Sequence, residues 1–539
     1  MKRILLVLAS LAGLVSLAAP ARAITDPALL DSLQRTSFQY FWDQGSSFNG
    51  LIRDRSTGDS PCSVASTGFG LSAICIGIDH GWVSRADGAN RVLTALQTLW
   101  NMPQGNSASG TIGYQGLYWH FLDMSTATRT WNSELSTIDT ALLFAGIMDA
   151  HQYFTSDSGN EPLIRALADS ITYRANWDFM RNGGPGLRMG FQPGTGGFNG
   201  YGTWIGYNEA MIMYIIALGS RTHPVPPSDW NTWTSGYHYI GQYGYTYVNF
   251  PPLFGHQYSH CWIDFRGIKD AYMQGKSGVD PTLDYFENSR RATLAQRAYA
   301  IANPGLRVGY SANLWGLTAS DGPPSPAPAG YSAHGAPPAQ NDNGTITPTA
   351  PISSIPFAPT ECLAVAHNLW DNYSANLWGP YGFKDAFNLT SNPDWYDTDY
   401  LGIDQGPIVI MIENYLNNGV WTRFMKHPDI VRGLYYAGFT PGFASVPSPS
   451  DPSGVALLET MPNPFRDQTT LRFRLPRADH VRLTLYDVSG RARATLVDGV
   501  RAAGEHTAVL EGHGLPAGVY LVSLSSGGTQ RVGKCVLVR

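Results

Sequence analysis

The chain has 539 residues and a formal net charge of -5, and only 14% of its residues are charged, against about 25% in an average globular protein. Aromatic residues make up 12%, with 15 Trp and 28 Tyr. This composition excludes a basic field for nucleic acid and leaves room for two or more domains. A surface rich in rings suits a partner with flat apolar faces and many hydroxyls, such as a sugar polymer, although core packing is the plain alternative use of the same rings.

Residues 1–23 combine a basic start, an apolar run and an Ala-Arg-Ala end, and are expected to be a secretory signal cleaved after Ala23. No Cys adjoins that point, which argues against lipid anchoring, and no later run of about 18 apolar residues predicts a membrane span. Cys62, Cys75, Cys261, Cys362 and Cys535 have no metal-binding spacing, and Cys62 with Cys75 is the candidate disulfide.

Apolar residues recur at helical spacing over 26–44, 64–80, 86–101, 134–154, 161–181, 206–219, 258–273, 281–302, 359–373, 404–418 and 421–437, with little strand alternation between them. So many helices between residues 24 and 443 suit a closed ring of helical hairpins, an all-α (α/α)6 toroid, better than a small bundle. In such a ring the inner helices lend their ends and loops to one central cavity. The long loops 110–132, glycine-dense 183–202 and Pro-, Gly- and Ser-rich 316–359 gather polar and aromatic residues, and loops of this length are usually functional or disordered. Residues 444–460 form a Pro/Ser-rich linker. From 461 to 539, short alternating runs such as TTLRFRL and GVYLVSL, broken by SGR, AAGE and SSGG, predict a small β-sandwich.

Several acidic residues stand where an apolar helix begins. Glu209, in GYNEAMIMYIIALGS, heads a helix whose remainder can vanish into a core. A carboxyl beside apolar neighbours holds its proton and can act as a general acid, whereas the plain reading is a first-turn acid favoured by the helix dipole. In WNSELSTIDTALLFAG, Glu134 has the same plain reading, but Asp139, followed directly by Ala141, Leu142 and Leu143, is harder to explain as surface dressing. His256, His260 and Asp264 are spaced four apart and would share one helix face. That spacing can bind a metal, but Tyr258, Trp262 and the absence of an HExxH pattern favour substrate contact. Asp404 precedes Gln405, Gly406 and Pro407 and can cap a helix; the adjacent Trp395, Tyr396, Asp397, Asp399 and Tyr400 resemble a carbohydrate subsite. Trp119, Trp131 and Tyr207 are further candidate sugar contacts. Glycoside hydrolysis needs two carboxyls across the scissile bond, one protonated and one ionised, and Glu209 with Asp404 or with Asp139 supplies such a pair.

Taken in order, WNSELSTIDTALLFAG, GYNEAMIMYIIALGS, LFGHQYSHCWIDFRG, the loop from GLTASDGP to PFAPTE, and LGIDQGPIVIMIENY resemble the bacterial glucoamylase-like family, and more narrowly the β-1,2-glucan hydrolases of glycoside hydrolase family 144. The resemblance spans residues 26–443 and implies cleavage of β-1,2-glucan by acid/base chemistry, with inversion and without a metal or organic cofactor. It implies Glu209 as general acid, Asp139 and Asp404 as residues that position or activate water, and Glu134 as an auxiliary contact. MPNPFRDQTTLRFRLP, LTLYDVSGR and LPAGVYLVSL resemble the FlgD-like immunoglobulin fold, or the C-terminal sorting domain of type IX secretion, and imply contact with the secretion machinery. The expected protein is a secreted or surface monomer that meets a β-glucan. A glycan-binding toroid without turnover, and a polysaccharide lyase using Tyr258 and His260, stay open as alternatives.

Overall fold

The computed structural model describes residues 24–337, 341–440 and, beyond them, 456–538 apart from 464, 476, 488–490 and 527–528. The expected signal and most of the expected linker lie outside the described residues. The chain divides into two compact units between Phe443 and Ala444.

The first unit holds fifteen described α-helices: α1 Asp26–Asp43, α2 Val64–Asp79, α3 Arg85–Asn101, α4 Thr137–Tyr153, α5 Glu161–Tyr173, α6 Met211–Gly219, α7 Ser228–Thr234, α8 Phe254–Trp262, α9 Ala271–Lys276, α10 Tyr285–Ala302, α11 Thr349–Ile352, α12 Pro359–Leu377, α13 Gly402–Asn417, α14 Gly419–Phe424 and α15 Pro428–Tyr436. Their sequences sort them into layers. Helices α2, α4, α6 and α13 are apolar around most of their circumference and most of their residues are buried, as an inner helix requires. Helix α3 buries only a stripe that includes Ala89, Val92, Leu93, Leu96 and Leu99, and α5 a stripe that includes Ile164, Ala168 and Ile171, so both face water on one side.

The inner helices close on themselves. Helix α2 packs on α4, α4 on α6, α6 on α8, α8 on α13, and α13 back on α2. Outside them, α3 packs on α5, α15 on α6, and α1 on α13 and α2, which makes the unit a helical toroid. The α2–α4 crossing depends on two glycines. A Cβ on Gly68 would stand 2.3 Å from the Leu142 carbonyl oxygen, and one on Gly146 only 1.9 Å from the Gly68 carbonyl oxygen, so any larger residue would push the backbones apart.

Helix bounds differ from expectation for local reasons. Gly206 adopts φ 90° and the Asn208 side-chain oxygen accepts from the Ala210 N–H at 2.9 Å. These hold Tyr207 to Glu209 as a turn ahead of α6, so Glu209 precedes the helix instead of lying within it. Helix α8 ends at Trp262 because Ile263 is extended, which removes Asp264 from the face of His256 and His260. The expected helix 161–181 stops at Tyr173, and 421–437 divides into α14 and α15 at Pro428. Cys62 and Cys75 are not bonded; all five cysteines are buried free thiols. No helix among the described residues is long and apolar enough to cross a membrane.

The second unit contains two antiparallel sheets. One orders Ala456–Met461, Gln468–Leu475 and Gly504–Glu511; the other orders Ala492–Arg501, Asp479–Asp487, Gly518–Ser526 and Thr529–Leu537. Alternation decides what is inside: Leu471, Phe473 and Leu475 point inward from one strand and meet a core with Val481, Leu483, Leu485 and Val522.

Candidate active site

A cavity of about 580 Å³ opens at the N-terminal ends of the inner helices. Ser63 of the residue ahead of α2, Asp139 and Leu142 of α4, Glu209 ahead of α6, Phe254 and Tyr258 of α8, and Leu401 and Ile403 at the start of α13 all line it. Loops contribute Asp54, Arg55, His120, Phe121, Trp131, Tyr331 and Ser332. Helix starts carry unpaired N–H groups and a partial positive charge, so acids gather here without unravelling the helices that carry them.

Glu209 has an oxygen, Oε2, that is buried without any hydrogen-bond partner. Burial, with a smaller contribution from the negative charge of Asp139, pushes its pKa up to about 7. Asp139 is fixed differently. The Ser136 hydroxyl, which also caps α4 by accepting from the Asp139 N–H, donates to Asp139 Oδ2 at 2.5 Å. His120 Nε2 lies 3.5 Å from Asp139 Oδ1, and His120 Nδ1 lies 2.9 Å from Glu134 Oε1. Burial alone would lower the His120 pKa, but Asp139 and Glu134 outweigh it and hold it at about 9. His120 is thus a cation at neutral pH, sandwiched by two carboxylates and stacked on Phe121 with centroids 3.9 Å apart. One atom each of His120, Glu134 and Asp139 lies within 4.8 Å of the others, a grouping with the atoms to ligate a metal.

Behind this wall lies a second acidic group around Arg55. Its guanidinium meets Asp321 at 2.8 Å, Asp54 at 3.4 Å and Asp399 at 3.5 Å. Burial raises the pKa of Asp54, brings that of Asp404 to about 7, and raises that of Asp385 strongly, reinforced by the adjacent Asp404. Asp404 does not line the cavity itself; it follows Ile403, which does. Tyr258 lies close enough to feel both carboxyls, since burial and then the charges of Tyr331, Asp404 and Glu209 raise its pKa. Pro407 lacks the N–H that would bond the Ile403 carbonyl in an unbroken helix. The freed carbonyl accepts from the Tyr258 hydroxyl at 3.1 Å, and this pins the ring at the cavity wall.

Of the residues expected from sequence, Glu209, Asp139, Trp131 and Tyr258 line the cavity, and Glu134, Asp399 and Asp404 stand directly behind it. Others prove to be framework. Trp119 is fully buried and donates to the Thr111 hydroxyl at 3.1 Å. Tyr207, also buried, stacks against His256 with its hydroxyl 3.3 Å from that of Ser289. His256 and His260 are buried, have their pKa values lowered to about 3 by burial, and share Ser289 as a neighbour; their expected substrate contact is replaced by packing. Trp262 is buried and donates to the Ser72 hydroxyl. Asp264 pairs with Arg266 at 2.7 Å outside the cavity. Tyr400 packs edge-on against Tyr381, and Trp395 sits in a two-residue strand against Asn388. Asp54, Arg55, Asp321, Asp385 and Tyr331 carry little sequence signal, being an Asp-Arg pair, two single acids and a Tyr in loops, and only the tertiary fold joins Arg55 to Asp321, 266 residues apart.

Comparison with known proteins places this geometry. Residues 202–428 match the Glycoamylase family model, described as "Putative glucoamylase", and residues 460–538 match the secretion system C-terminal sorting domain. The exo β-1,2-glucooligosaccharide sophorohydrolase (non-reducing end) of Parabacteroides distasonis is 30% identical over 444 residues, covering 76% of this chain and 58% of that protein. The chain therefore spans under two thirds of that relative's length. A solved endo-β-1,2-glucanase from Chitinophaga pinensis, in complex with sophorotriose and glucose, is 30% identical with a TM-score of 0.69 and covers 78% of this chain and 99% of that one. A solved structure from Bacteroides uniformis, described as a "putative glucoamylase", is 35% identical with a TM-score of 0.70; the match covers 78% of this chain and 99% of that one. With 35% identity over 78% of its length to a solved member of which it covers 99%, and the same helical ring, this chain belongs to the glucoamylase-like family, alongside β-1,2-glucan hydrolases of the family 144 type.

Proposed function

We propose that this protein is a secreted glycoside hydrolase that cleaves β-1,2-glucan. The observation that carries the reading is the pairing, in one cavity, of Glu209, whose pKa burial lifts to about 7, with Asp139, whose carboxylate is held beside the His120 cation. One carboxyl that keeps its proton and a second that stays charged are what glycosidic cleavage requires. Glu209 donates its proton to the departing glycosidic oxygen. Asp139 accepts a proton from the water that attacks the anomeric carbon, and His120 and Ser136 orient it. Direct attack by water inverts the anomeric configuration. Asp404, raised to about 7 by burial, stands behind the cavity wall next to Ile403, whose carbonyl holds Tyr258. Trp131, 61% exposed at the cavity, and Tyr258 offer ring faces to the sugar.

Relatives named for removal of sophorose from the non-reducing end and for internal cleavage support a β-1,2-linked substrate. The tail, which we read as an immunoglobulin-like sandwich, serves export or surface attachment, as its match to a sorting domain supports. The test is incubation with linear β-1,2-glucan and a panel of other glucans, with sizing of products and NMR of the first-formed anomer. A ladder marks internal cleavage and a single disaccharide marks terminal release. Absence of product from every glucan, or near-normal turnover by Glu209→Gln, refutes the assignment.

A further inference from the structure

The geometry points to a binding site for a hard divalent cation of the calcium class formed by Asp321, Asp385 and Asp397, beside Asp404 and distinct from the group of His120, Glu134 and Asp139. One carboxylate oxygen from each of the three lies within 4.8 Å of the others. Calcium binds oxygens at about 2.4 Å, so a single ion can touch ligands up to roughly 4.8 Å apart. Asp385 and Asp397 are 98% and 92% buried, being 2% and 8% exposed; Asp385 shares a hydrogen bond with the Asp404 carboxyl, whereas Asp397 Oδ2 has no hydrogen-bond partner.

Their other oxygens are already placed. Asp385 Oδ2 accepts from the Asp321 N–H at 2.7 Å, and Asp397 Oδ1 accepts from the N–H groups of Thr398 and Asp399 at 2.6 and 3.2 Å. The backbone thus fixes these side chains and leaves Asp397 Oδ2 free to take a ligand. Asp54, Asp321 and Asp399 share the Arg55 guanidinium at 3.4, 2.8 and 3.5 Å, so the one cation beside the cluster is divided among three carboxylates. Unpaired buried carboxylates are costly, and an all-oxygen donor set selects a hard ion.

The three ligands come from three segments. Asp321 follows Ala319–Ser320, which pairs with Ser332–Ala333 in the cavity wall; Asp385 follows the strand Gly382–Phe383; Asp397 follows Trp395–Tyr396. An ion bound here ties the cavity's loops together, and its detection requires no glucan. The full-length chain, stripped with a chelator, is to be titrated with CaCl2 by calorimetry and melted with chelator or with CaCl2. Saturable binding is expected, and at a hundredfold excess over Kd a rise in midpoint of roughly 3 °C for a unit of this size. Asp397→Asn is expected to weaken binding at least tenfold. Asp321→Asn, at the less buried ligand, gives the same reading should Asp397→Asn fail to fold. Identical midpoints with chelator and CaCl2, no saturable heat, or unchanged affinity in the variants would overturn the site and leave the cluster neutralised by protons alone, without bearing on hydrolysis.

Discussion

Replacing Glu209 with Gln removes a charge while keeping the shape, and its effect on stability follows from the same burial that is proposed to serve catalysis. The pKa of Glu209 is about 7 in the folded chain against an ordinary 4.5. Between those two values the folded chain keeps a proton that the unfolded chain has lost, so Glu209 costs stability progressively as pH rises through that window. The full cost above pH 7 is about 3 kcal/mol, at 1.36 kcal/mol for each pH unit of separation. Gln, neutral throughout, escapes it. With an unfolding entropy of about 2.1 cal/mol/K per residue over about 420 residues, roughly 0.9 kcal/mol/K, the variant should melt about 3 °C above the wild type at pH 8.5 and close to it at pH 4.5. Differential scanning calorimetry at the two pH values, beside reducing-end assays on β-1,2-glucan, measures both consequences. A variant-minus-wild-type difference that is the same at pH 4.5 and 8.5 would mean that Glu209 is not desolvated, and the general-acid assignment would lose its physical basis.

Other outcomes follow from the same geometry. The value of kcat/KM should fall as pH rises through about 7, because the acid must carry a proton to donate and Glu209 loses it there; a profile flat from pH 5 to 9 contradicts this. Asp139→Asn should lower kcat by roughly 10² to 10⁴ with little change in KM, measured by initial rates. Tyr258→Phe deletes one hydrogen bond to the Ile403 carbonyl and should cost about 1 kcal/mol of stability, read by urea unfolding. Gly146→Ala places a methyl 1.9 Å from the Gly68 carbonyl oxygen and should destabilise the α2–α4 contact by about 3 kcal/mol or more, with soluble yield and melting midpoint as readouts.

Much of the fold was legible along the chain because burial writes itself into composition. Helices α2, α4, α6 and α13 are apolar all round, and a helix of that kind has nowhere to go but inside. An acid at the mouth of such a helix is legible for the same reason, which is why Glu209, Asp139 and Asp404 stood out. His256, His260, Trp119 and Tyr207 misled because their chemistry suits a sugar equally well and a core equally well, and sequence spacing does not say which way a ring points.

The sequence by itself determined that an inner ring of helices exists and that carboxyls cap its ends, since apolar periodicity and helix-start chemistry are local properties. Only the tertiary structure decided which carboxyls meet. Arg55 reaches Asp321 and Asp399 across hundreds of residues, and His120 binds Glu134 and Asp139 through a loop that folds back over α4. Charge acts through space and takes no account of chain order, so proton ownership at this cavity is set by packing.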